Sequence, residues 1–170
     1  MGESFLYLTL DGKESLGIDI RLIRADKELK SRFESIIKNK AIKKTGHDLK
    51  DLFKKLYGLA RMEGLNFDIR LAAYLINSDL KDYSLAKIYF NEFDRNFDSS
   101  QEIDPKLYPL AVCELKERLY KKMVNEKVLR IFEDIEVPLV SVLAEMELAG
   151  IKVDTKSLGS MATMLTKELG

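Results

Sequence analysis

Apolar and polar positions alternate near the start of the chain and then settle into helical spacing. Phe5 to Leu10 is an apolar-rich run closed by Asp11-Gly12, a strong turn signal, and it predicts a strand. Leu16, Ile18, Ile20 and Leu22 alternate with Gly17, Asp19 and Arg21, which predicts a second strand with one buried face. The two make a β-hairpin. A lone hairpin is marginal in water, so it needs more sheet or a helix against it.

Helical spacing follows. Asp26 is placed to cap a helix reaching about Asn39, with Leu29, Phe33, Ile36 and Ile37 on one face. Ala41 to Lys44 reads as a short further strand, punctuated by Thr45-Gly46. A second helix is expected from Asp48 to Met62, with Leu49, Leu52, Phe53, Leu56 and Leu59 inward and Gly64 as its C-cap. Leu65 to Asp68 is extended, Leu71 to Asn77 a brief helix, Ser78 to Asp82 a polar break, and Ser84 to Asn91 another helix. Asp94 to Asp104 is polar and turn-rich, hence a loop. From Pro105 the pattern is helical almost to Gly150, with a break or kink expected near Val137 because of Pro138. After an extended Ile151 to Val153, Asp154 or Thr155 caps a last helix. Strands alternating with helices, then helices alone, predict an α/β domain followed by the start of a helical one.

Composition narrows the function classes. The chain has 170 residues, 46% hydrophobic and 33% charged, which suits one globular domain and the beginning of a second. Net charge is zero, so no global basic excess argues for phosphate binding. Lys38, Lys40, Lys43 and Lys44 form a local basic cluster, read as a solvated helix end and loop. The single cysteine, Cys113, forms no internal disulfide and sits in an apolar helical run, where a buried inert thiol is expected. No apolar run has the roughly 18 residues of a membrane span, and Met1-Gly2-Glu3-Ser4 has neither a basic start nor a long apolar stretch, so a cytoplasmic protein is expected.

Candidate chemistry is sparse. There is no GxGxxG, no GxxxxGK[ST] and no nucleophile elbow, and one His with one Cys excludes a His/Cys metal site. What remains is carboxylate-based metal chemistry, in which acids from distant segments clamp two divalent ions about 4 Å apart. Asp48, Asp51 and Asp68 are the candidates. For Asp48 an N-cap, and for Asp51 a first-turn acid favoured by the helix dipole, are the preferred readings.

The run Phe132 to Asp154 carries Glu136, Pro138, Leu139, Val142, Leu143, Met146, Glu147, Gly150, Ile151, Val153 and Asp154 in the spacing E-x-P-L-x-x-[VI]-L-x-x-[ME]-E-x-x-G-[VI]-x-[VI]-D. It resembles the junction into the polymerase domain of family A DNA polymerases. Upstream, Lys44 to Lys50 is similar to K-x-G-Q-N-L-K of that family's exonuclease domain. Phe67-Asp68, Leu71, Ala73 to Leu75 and Asn77-Ser78 resemble F-D-T-x-L-x-[SA]-Y-[LI]-L-N-[SP], and Ser84-Leu85-Ala86 resembles the S-L-A that follows.

The resemblance implies an RNase H-like 3′–5′ exonuclease fold, its sheet truncated at the N-terminus, followed by helices. Residues 1–130 would form the exonuclease-like domain and 131–170 the start of a polymerase domain. Active members hold two metal ions with a D-x-E strand, an acid after N-L-K and the tyrosine and acid of Y-x-x-x-D. Here no D-x-E strand is seen before Phe5, the acid after N-L-K falls on Leu52, and if Tyr108 matches the tyrosine then Val112 stands where the acid belongs. Leucine and valine offer no oxygen to a hard cation. The implied protein is a fragment of a DNA-directed DNA polymerase of replication and repair, with a vestigial, structural exonuclease domain and no cofactor of its own. Mg²⁺ would serve the parent polymerase. Its partners would be the polymerase domain of the same parent chain and, through that enzyme, DNA. There is no membrane partner, and an edge-strand dimer through the hairpin is a further expectation. Two alternatives stand beside it, a nuclease-fold adaptor that binds a protein partner and an active metal-dependent proofreading exonuclease.

Overall fold

The computed structural model describes residues 5–95 and 104–169, so most of the expected Asp94 to Asp104 loop lies outside the described residues. The order is β1 (Phe5–Leu8), β2 (Leu16–Asp19), α1 (Ile20–Ala25), α2 (Lys27–Ile37), β3 (Lys44–Gly46), α3 (Leu49–Leu56), β4 (Leu65–Asp68), α4 (Ile69–Ile76) and α5 (Leu85–Phe93). A 3₁₀ turn, Pro105–Leu107, opens α6 (Tyr108–Asn125); α7 (Leu129–Ile131) and a π turn (Phe132–Glu136) run into α8 (Val137–Ala149), and α9 (Thr155–Leu169) follows. The fold is α/β and mostly helical. In place of one sheet there are two small ones among the described residues: β1 and β2 antiparallel, β3 and β4 parallel.

The hairpin turns where expected. Gly12 takes φ +73°, and the Asp11 carboxylate accepts the backbone N–H of Lys13 at 2.9 Å. The second strand is shorter than its alternation suggests. It stops at Asp19, whose side chain accepts the Arg21 N–H at 2.9 Å and starts α1 at Ile20. Helix geometry then turns Ile23 into the core and leaves Leu22 exposed. Asp26 caps α2 as expected, through Glu28 and Leu29 N–H. Phe33 and Ile37 are buried, whereas Leu29 and Ile36 are about half exposed.

Two expectations around α3 are corrected. The short strand begins at Lys44 instead of Ala41, because its pairing partner is β4 and the Lys44 N–H donates to Gly64 O at 2.8 Å. The helix from Leu49 ends at Leu56, well before Met62, and Gly64 is not its C-cap. Gly64 holds φ +72°, and a Cβ there would stand 2.6 Å from Ile42 O, so the residue permits a close backbone approach at the entry to β4. Leu59, Ala60 and Met62 still reach the core from the connecting segment.

Helix α4 starts two residues ahead of expectation, at Ile69, because Asp68 caps it. Pro138 does not break the last long helix. Val137 N–H donates to Phe132 O, giving a wide π turn ahead of the proline, and the helix continues. A widened turn accommodates the lost N–H and the ring that would meet the carbonyl of Asp134.

The core lies in two hydrophobic clusters. One gathers α4, α5 and α6 around Phe67 and Phe132, whose rings are 4.9 Å apart. The other joins α1, α2 and α3 with Leu59 to Met62. Helix α8 belongs to both, Val137 to the first and Val140 and Ala144 to the second. Helix α9 buries no residue.

Candidate functional site

Asp68 is the one buried charged or polar residue among the described residues, 1% exposed at the end of β4. Its carboxylate serves two helices. One oxygen accepts the N–H of Arg70 at 2.8 Å and of Leu71 at 3.3 Å, capping α4. The same oxygen accepts Asp48 N–H at 3.2 Å and the other accepts Leu49 N–H at 2.7 Å, at the start of α3. Two helix N-termini thus converge on one anion, which complements both dipoles. Burial pushes the Asp68 carboxyl above its ordinary range against the pull of these donors.

The other two candidate acids have local partners. Asp48, in the left-handed region at φ 55°, caps α3 by accepting Asp51 N–H at 3.2 Å and pairs with the Arg70 guanidinium. Asp51 is in the first turn of α3 and pairs with Lys55 at 2.8 Å. The capping reading of Asp48 and the first-turn reading of Asp51 hold. Among the described residues no group of three or more His, Cys, Asp or Glu is placed to hold a metal ion. His47 donates from Nε2 to the Tyr83 carbonyl at 2.7 Å, tying the end of β3 to the loop before α5.

Leu52 is half-buried on α3 and packs against the cluster of α1, α2 and α3. Val112 is buried on α6 in the other cluster, one turn beyond Tyr108, which is 42% exposed. Cys113, half-buried beside Gly12, has its thiol pushed up by burial, as an unreactive cysteine would. Of the basic cluster, Lys38 pairs with Glu34, and Lys44 donates to Asn39 O and is held down by burial.

The two resembling motifs meet in space. Glu147 of the junction run accepts Lys50 Nζ on one oxygen and Lys54 Nζ on the other, both at 2.6 Å. Lys50 closes the upstream Lys44 to Lys50 run, and Lys54 lies one helical turn beyond it on α3. The two ammonium groups hold the Glu147 carboxyl down to about 2. A second link joins Arg61 Nε to Glu145 at 2.6 Å, with Glu63 on the same guanidinium. Val140 and Ala144 of the same helix are buried in the cluster of α1, α2 and α3, so α8 is held on that body by packing and charge together. Sequence reasoning marked Lys50 and Glu147 only as motif positions. Nothing local announces a pairing across that much chain.

The outer face of α8 is different. Leu139, Val142, Leu143 and Met146 are between 39% and 63% exposed. These junction residues are apolar without burying themselves in the body described here.

The chain is similar to known DNA polymerases. No family model matches the chain. DNA polymerase I of Bacillus subtilis (strain 168) is 34% identical over 125 residues, covering 64% of this chain and 14% of that protein. The thermostable DNA polymerase I of Thermus filiformis is 31% identical over 134 residues, covering 72% of this chain and 15% of that protein. The POL domain of Pol1 from M. smegmatis, solved in complex with DNA primer-template and dNTP, superposes with a TM-score of 0.77. It is 24% identical and the match covers 90% of this chain and 26% of that one, a likeness of fold. The chain belongs to the family A DNA polymerases. Within that family the relatives it matches are DNA polymerase I, and it spans only about a seventh of their length.

Proposed function

We propose that this chain is the 3′–5′ exonuclease-like segment of a DNA polymerase I-type enzyme, RNase H-like in fold, without nuclease activity and structural in role. Residues 1–130 are the exonuclease-like domain and 131–170 the start of the polymerase domain. The observation that carries this reading is the grip of Lys50 and Lys54 on Glu147, backed by the Phe67–Phe132 contact. A segment that enters a polymerase domain is thereby held at a set angle on the exonuclease-like body. The parent enzyme would be a cytoplasmic protein that extends primers on DNA with Mg²⁺, and the polymerase domain of the same chain would be the main partner.

Loss of cutting is supported by Leu52 and Val112, apolar at positions where the family resemblance asks for metal-binding acids. Asp68 does not replace them, because its oxygens already accept four backbone N–H groups. The test is incubation with 3′-labelled single-stranded DNA and Mg²⁺ or Mn²⁺. No trimming above a metal-free control is expected. Metal-dependent loss of the 3′ label would overturn the proposal and favour an active proofreading exonuclease.

A further inference from the structure

We draw no further inference here: the strongest candidate, the cleft where the C-terminal ends of α4, α5 and α6 meet around Glu92, Asp94 and Glu126, is an acidic cluster whose Glu92 is already paired with Lys122 and Arg118, and nothing among the described residues points to a ligand for it.

Discussion

The carboxylate of Asp68 accepts the backbone N–H of Leu49 at 2.7 Å, joining the end of β4 to the first turn of α3. Its other oxygen caps α4. A buried acceptor with several donors is costly to remove, because each donor left behind keeps its desolvation penalty. Asp68→Ala is expected to destabilise the chain by about 2–4 kcal/mol, from a lost cap and unsatisfied N–H groups. Asp68→Asn should cost about 1–3 kcal/mol, since the amide nitrogen faces a donor. Urea unfolding monitored by circular dichroism measures both. Burial raises the Asp68 carboxyl, so the folded state holds its proton more tightly than the unfolded chain does. Its contribution therefore favours folding at acid pH and is lost as pH rises through the folded value. Asp68→Asn should remove that slope.

Phe132 packs against Phe67 with the rings tilted by 52° and their centroids 4.9 Å apart, and it is 1% exposed, at the start of the π turn leading into α8. Phe132→Ala is expected to cost about 3–5 kcal/mol, the range for a large aromatic leaving a cavity. The pairwise part should show in a double-mutant cycle with Phe67→Leu and Phe132→Leu. A coupling of about 0.5–1.5 kcal/mol is expected. A coupling near zero would mean the two rings stabilise the fold independently.

Local signals were legible in the sequence and non-local ones were not. Asp11-Gly12 and Asp26 act within a few residues of themselves, and the turn and the cap form where those residue types place them. Ile20 and Leu22 continue an alternation begun at Leu16, yet the Asp19 cap one residue earlier decides for a helix. Gly64 reads as a helix end because glycine at that place is common there; its actual reason is the carbonyl of Ile42, in a different segment. The candidate site shows the same limit. Asp68 stands out as an acid after a short strand, but its tie to Leu49 depends on β3 and β4 lying side by side. Leu52 and Val112 are identifiable in sequence through the family motifs, while their placement in two different clusters is a property of the packing.

Gly64 and Gly58 make a matched pair for testing backbone control. An alanine Cβ at Gly64 would meet Ile42 O at 2.6 Å and Lys40 O at 3.0 Å, with φ at +72°, whereas Gly58 has open space around it. Gly64→Ala is expected to destabilise by more than about 1 kcal/mol, through strain and the collision. Gly58→Ala should be neutral or stabilising by up to about 1 kcal/mol, since it restricts the unfolded chain. Thermal melts of the two variants beside the parent separate them; equal melting temperatures for the two alanines would contradict the close approach at Gly64.

Glu147 sets the expected response to acid. Lys50 and Lys54 hold its carboxyl at about 2, below the ordinary 4.5, so the folded state favours the ionised form more than the unfolded chain does. Stability from this group is fully present above the unfolded value. It falls as protons neutralise the carboxylate, between about pH 4.5 and pH 2. Glu147→Gln removes the charge at every pH. The parent should therefore melt higher than Glu147→Gln at neutral pH, by a margin that shrinks through this window and vanishes near pH 2. Added salt should narrow the neutral-pH margin, because the three groups are partly solvated and their attraction is screened. Lys50→Met or Lys54→Met alone should move the acid transition only partway, since each ammonium holds one oxygen of the carboxylate. A margin independent of pH would show that Glu147 contributes through packing and not through its charge.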